Sequence, residues 1–275
     1  LLTVMAALSY GELASMMPKA GGQFVYLQRA YGKLTAFLYG WTAFTVITSG
    51  IIAAVAVAFA KFSAVFFPVL SPDNILLDLG FVKVSAAQVY AVCAILLLTL
   101  FNTRGVESSK TFTTVFTSAK IVAVLALIVV GLAVGLGTDV LAANFEVGWH
   151  AMSLGKDGSL TPLTGAALLS ALGVAMVGSL FSSDGWNSVT FIAGEVKEPQ
   201  RNIPRSLALG TFLVTGLYVL ANITYLALLP NAGIMHAEAD RVGTAAAEVI
   251  MGPAAVSVMA VLIMVRTFGC INGYV

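Results

Sequence analysis

LTGAALLSALGVAMVGSLFSSDGWNSVTFIAGEV, residues 163–196, is the stretch whose reading decides the fold. It is far longer than the about 20 apolar residues a helix needs to cross a hydrocarbon core of roughly 30 Å. It is also interrupted, because SSDGWNS occupies 182–188 in its second half. Ser, Asp, Gly and Asn favour leaving a helix, since their short polar side chains compete for backbone groups or, for Gly, restrain nothing. In lipid no water receives the freed N–H and C=O groups. A polar break inside a span therefore survives only where protein or a water-filled cavity takes them up. Broken helices of this kind build the substrate sites of many secondary transporters.

The rest of the chain repeats the apolar theme. Six further segments stand out, approximately Leu1–Met17, Leu34–Phe67, Ser85–Phe101, Thr111–Gly137, Ser206–Leu229 and Pro253–Val275, each bounded by turn formers and most of the charge. Of the 275 residues, 59% are hydrophobic and only 10% are charged, against roughly a quarter charged in soluble domains. The net charge of +1 suggests no nucleic-acid or acidic partner. A transmembrane barrel would show strands of about ten residues alternating polar and apolar, and this pattern is missing. The expected fold class is an all-α polytopic membrane protein.

Lys and Arg in the breaks orient the spans. Lys19, Arg29, Lys33, Arg104, Lys110, Lys197, Arg201 and Arg205 fall in one alternating set of breaks, and Lys61, Lys83, Lys156 and Arg241 in the other. Eight against four places the first set in the cytoplasm. The Pro18–Lys33 break interleaves Phe24, Tyr26, Leu27 and Tyr31 with Gln and Arg, which reads as an amphipathic helix at the membrane surface or packed on the bundle. Cys93 and Cys270 lie inside apolar runs, so packing is their default role. The chain starts and ends within apolar runs and has no leader-like start, so a fragment of a longer protein is expected.

Four ionisable residues fall inside spans: Glu12, Lys120, Asp184 and Arg266. Each costs about 2.5–3.5 kcal/mol or more at the bilayer centre, which makes each a functional candidate. Lys120 lies roughly 13 Å into its segment at 1.5 Å per residue, near the midplane, and needs a carbonyl, a carboxylate or a water-filled cavity. Asp184 reads two ways: as a cap for a helical segment beginning near Ser188, or as a direct ligand or proton carrier. Glu12 and Glu195 end helices on the cytoplasmic side, with Arg201 and Arg205 in the adjoining basic loop. At least one acid–base pair among these four is expected to hold the inner side closed. Gly131 and Gly135 form a small-xxx-small step suited to close helix packing.

Enzymatic readings fail on the residues. Asp184 is the one aspartate well inside a span, so an intramembrane aspartyl pair is absent, and His150 and His236 lie in outer loops, which removes a Ser–His dyad. No metal and no cofactor is expected. No phosphate-binding glycine loop supports ATP-driven transport, and no repeated filter motif supports a channel.

ALSYGELASMMPKAGGQFVYLQRAYGKLTAFLYGW, FSSDGWNSVTFIAGEVKEPQRNIPRSL and RTFGCINGYV, in this order, resemble the second helix to third helix, the sixth helix with its following loop, and the eighth helix of amino acid–polyamine–organocation (APC) permeases. The details are most similar to the prokaryotic L-type amino acid transporter branch. The resemblance implies a LeuT-like fold of two inverted five-helix repeats. Residues 1–275 would then be one permease domain holding about seven transmembrane helices, the family's second to eighth, with the first helix and helices nine onward absent. It implies secondary active amino-acid transport across the plasma membrane, sodium-independent, by exchange or proton coupling. The alternative is a transporter-like sensor or scaffold that binds without transporting.

By position, the resemblance makes Phe181 a gating aromatic over the bound amino acid. It gives the ammonium to carbonyls around Phe181, Ser182 and Asp184 at the turn through Gly185, and it sets Asn187 near the substrate. It places Lys120 where sodium-coupled relatives hold the ion. Arg266 departs from the small polar residue expected there. Animal L-type transporters attach a glycoprotein through a cysteine in the loop after the third helix. Lys61–Val84 contains none, so the expected partners are an amino-acid substrate and the bilayer, without a disulfide-linked heavy chain.

Overall fold

The computed structural model describes residues 1–80, 83–103, 106–146, 151–154, 160–238 and 241–274. Arg104, His150 and Lys156 of the reading above lie outside them. Every expected apolar segment contains a helix. These are α1 (Leu2–Met16), α3 (Lys33–Thr42) running through a π-helical stretch (Ala43–Thr48) into α4 (Ser49–Ser63), α5 (Ala86–Asn102), α6 (Val106–Gly135), α8 (Gly165–Ser182), α9 (Pro199–Leu228) and α12 (Ala254–Tyr274). Between them lie α2 (Gln23–Tyr31), α7 (Val140–Glu146), α10 (Asn231–Met235) and α11 (Val242–Met251). Among the described residues five helices are long and apolar enough to cross a membrane: Lys33–Ser63, Thr117–Gly135, Gly165–Ser182, Pro199–Leu228 and Ala254–Tyr274. Helices α1 and α5, at 15 and 17 residues, are shorter than a straight crossing needs.

Two small antiparallel hairpins depart from the all-helical reading: β1 (Ile75–Asp78) with β2 (Lys83–Ser85), and β3 (Met152–Leu154) with β4 (Leu160–Pro162). Both sit in breaks between apolar segments. A short non-helical chain there still has to pair its N–H and C=O groups, and the nearest partners are its own. An exposed ion pair, Lys83 to Asp78 at 3.3 Å, links the first hairpin across its strands. Directly after it, Ser85 caps α5 reciprocally: Ser85 Oγ accepts from the Gln88 N–H, and Gln88 Oε1 accepts from the Ser85 N–H at 2.9 Å.

The chain forms two compact units, each assembled from two separated stretches. One comprises Leu1–Gly40 and Ala142–Asn222, the other Trp41–Leu141 and Ile223–Val275. In the second unit, buried Ala56 and Ala60 of α4 and Ala87, Ala91 and Ala94 of α5 keep side chains small where the helices meet. Phe59 stacks on Tyr90 at 5.6 Å and tilts against Phe268 of α12 at the same distance. Lipid is as apolar as these side chains, so close van der Waals contact, not hydrophobic exclusion, holds such helices together. The glycine step on α6 does the same against the end of α9. A Cβ on Gly131 would overlap Thr224, and one on Gly135 would lie 2.7 Å from the Ala227 Cβ.

In the first unit, Ala14 of α1, Ala193, and Ile203 and Leu207 of α9 form a buried cluster edged by Tyr10, Trp186, Val189 and Val196. No residue of α8 is buried, although the helix is apolar all round. A helix of that kind suits lipid or further protein on its faces.

Candidate functional site

Helix α8 stops where SSDGWNS begins. The Ser182 and Ser183 hydroxyls both donate back to the Ser179 carbonyl, at 3.0 and 2.7 Å, satisfying it within the last turn. The Ser183 N–H reaches Ser179 O and Leu180 O, and the Asp184 N–H reaches Phe181 O. Gly185 then takes φ +87, a left-handed backbone that costs glycine little. Beyond it the chain makes two short 3₁₀ turns, Ser188–Thr190 and Ala193–Glu195, in place of a resumed α-helix. The residue preceding the first turn is Asn187, and no side chain caps it. Asp184 therefore does not act as the cap that one sequence reading allowed. Its side chain is exposed and makes no hydrogen bond to a described residue.

This break and α9 enclose a cavity of about 270 Å³ within the first unit. Thr3, Ser182, Ser183, Ser206, Thr211 and Thr215 line it, with Trp186 and Tyr218 as its aromatic residues. Asp184 is the single charged residue among the described residues of the lining, and it gives the cavity a negative character. Two features leave hydrogen-bonding capacity unused. Thr211 is 5% exposed and its Oγ1 has no partner among the described residues. The Ser183 and Asp184 carbonyls accept no bond from a described residue, whereas Ser182 O already accepts from the Tyr218 hydroxyl at 2.9 Å. A carbonyl has two lone pairs, so Ser182 O retains one.

Of the residues singled out by sequence, Ser182 and Asp184 line the cavity, and Gly185 and Asn187 form its adjoining turn. Phe181 stands in the last turn of α8, 62% exposed, and is not part of the lining. Thr211, Thr215 and Tyr218 went unremarked in the sequence. Their i, i+4, i+7 spacing was the available signal, a polar stripe on one face of an otherwise apolar helix.

Trp186 carries the site's outer contacts. Tyr10 of α1 meets it edge-on, with centroids 5.0 Å apart at 81°, and meets Tyr26 of α2 in the same manner at 5.9 Å. Each such pair contributes about 0.5–1.5 kcal/mol beyond area burial. The Gln23 amide donates to the Tyr10 hydroxyl at 2.5 Å. Burial holds the Tyr26 phenol above its usual pKa, with Tyr10 adding to the shift and a hydrogen bond with Thr190 opposing it. It stays neutral at physiological pH.

The four cytoplasmic-gate candidates also belong to this unit. Glu12, Glu195, Arg201 and Arg205 are all exposed, and none forms an ion pair with a described residue. Lys120 belongs to the other unit, half-buried on α6. Its ammonium donates to Cys270 Sγ of α12 at 3.7 Å. This partner is a thiol, a weaker acceptor than the carbonyl, carboxylate or water-filled cavity expected for it. Arg266, one turn earlier on α12, is exposed.

Long apolar helices, one of them ending in a polar break beside a small cavity, define a multi-pass membrane protein. Comparison with known proteins gives the family. The family profile described as amino acid permease matches residues 1–275, and the chain belongs to that family. Over 274 residues it is 28% identical to the b(0,+)-type amino acid transporter 1 of Mus musculus, covering 99% of this chain and 50% of that protein. It is 26% identical to the serine/threonine exchanger SteT of Bacillus subtilis (strain 168), covering 100% and 55%. The Asc-type amino acid transporter 1 of Mus musculus is 26% identical, with 99% and 47% covered. The chain spans about half the length of these curated relatives.

Proposed function

We propose that the protein carrying this chain is a secondary transporter of amino acids in the plasma membrane, sodium-independent and working by exchange or proton coupling. The observation that carries the reading is the cavity at the α8 break, negative through Asp184 alone and rich in unused hydrogen-bond capacity. An amino acid's ammonium goes to the Asp184 carboxylate and the carbonyls following Phe181. Its carboxylate goes to hydroxyl donors such as Ser206 and Thr215. A charge-assisted bond of this kind is worth about 1.5–3 kcal/mol, enough to orient a small zwitterion. Phe181, turned inward when the site closes, covers the substrate, and Asn187 borders it. The relatives' names, transporters and an exchanger, support transport over the sensor reading and over enzymatic activity.

Lys120 supplies the sodium independence in this proposal. An ammonium at this position repels a second cation, while a weak sulfur acceptor leaves it free to find better oxygens as the protein changes state. No disulfide-linked heavy chain is needed, since Lys61–Val84 has no cysteine. The test is uptake by the full-length protein in liposomes, with a panel of radiolabelled L-amino acids, choline replacing sodium, and a pH gradient imposed separately. Uptake unchanged in choline supports the reading. Uptake that vanishes without sodium overturns the assignment of Lys120, and binding without uptake of any amino acid supports the sensor.

A further inference from the structure

We propose that Tyr10 is a positioning residue that holds the Trp186 wall of the cavity and ties it to the surface helix α2. The proposal rests on reading the cavity as the transport site, but its geometry stands apart from any substrate. The segment after the break has little internal structure to fix its shape. Its 3₁₀ turns are three residues each, and such turns hold poorly on their own. What fixes it comes from outside. Trp186 is half-buried, faces the cavity, and receives the edge of Tyr10 at 5.0 Å. Tyr10 is held in turn by the Gln23 amide and the Tyr26 ring, both on α2.

The loop leading into α2 is fastened to the same segment by two further contacts. The Gly21 N–H donates to the Phe191 carbonyl at 3.1 Å. Gly22 is buried at φ +46 with its α-carbon against Thr190, where a Cβ would overlap the threonine hydroxyl. Aromatic edges, a backbone bond and a glycine contact are short-range and carry no net charge, so salt does not loosen them. Together they make α2 and the cavity wall one mechanical piece, with Tyr10 the residue that reaches both.

The experiment uses the full-length protein in liposomes, with Trp186 the only tryptophan and all others replaced by Phe. Emission and acrylamide quenching of Trp186 are read without ligand, alongside uptake of a radiolabelled mixture of the twenty L-amino acids. Tyr10→Ala should shift the emission to the red, raise quenching and lower uptake roughly tenfold, since small misplacements of a binding wall cost rate steeply. Tyr10→Phe and Gln23→Ala cut the same hydrogen bond from its two ends. They should shift the emission equally, by less than Tyr10→Ala, and Tyr10→Phe should restore most of the uptake. Parent-like Trp186 emission in Tyr10→Ala overturns the proposal, and so does an effect of Tyr10→Phe that Gln23→Ala does not reproduce. The ligand-free emission keeps its meaning even if Asp184→Asn transports normally and the cavity is not the transport site.

Discussion

The last turns of α8 and of α6 are both apolar helix in sequence, yet they use small residues in opposite ways. At α6, Gly131 and Gly135 remove side chains so that Thr224 and Ala227 of α9 come into direct contact, and the helix stays regular up to its last residue, Gly135. At α8, Ser182, Ser183 and Gly185 stop the helix, and the released carbonyls face a cavity. In one place small residues close a gap between helices. In the other, small polar residues open a gap in the hydrogen-bond ladder. The lesson is that smallness serves packing when the ladder is intact and chemistry when it is not.

Substitutions sharpen this contrast, beginning with the largest effect. Asp184→Asn keeps the shape of the cavity but removes its one charge, so kcat/KM for amino-acid uptake by the full-length protein should fall about 100-fold, the loss expected for a charged hydrogen bond in a partly desolvated site. The melting temperature should stay near the parent's. The reverse pattern is expected on the α6 side. Gly135→Leu forces a side chain into the Ala227 backbone, and overpacking of this kind costs about 1–3 kcal/mol. A lowered melting temperature in detergent, with kcat/KM of the surviving protein unchanged, would keep the comparison. Transport lost at unchanged stability would break it.

Phe181→Ala should lower uptake by roughly tenfold, with Phe181→Trp retaining more because an aromatic face remains. Its 62% exposure predicts little loss of folding, so a large drop in melting temperature would mark it as packing and not as a gate. The smallest effect belongs to the gate candidates Glu12, Glu195, Arg201 and Arg205. They are exposed and make no ion pair with a described residue. A double-mutant cycle on Glu12 or Glu195 with Arg201 or Arg205 should give a coupling of about 0.2–1 kcal/mol in transport rate. No coupling in any combination would remove the gate.

Composition, span length and the polar run at 182–188 were enough to set out the helical class, the position of the break and the amphipathic α2, because lipid leaves the backbone few alternatives. The family was legible in long motifs carried in order. Contacts between distant stretches were not. Nothing local in GWNSV says that Tyr10 will brace Trp186, that Lys120 will meet Cys270, or that Thr211 will be buried unpartnered beside Asp184. Nor does the polar run say whether helix resumes at Ser188; the chain after it makes 3₁₀ turns and accepts a hydrogen bond at Phe191 from the loop before α2. Membrane solvation acts on every residue of a span alike, so sequence alone determines it. The direction of one side chain depends on which helix packs beside it, and only the tertiary structure decides that.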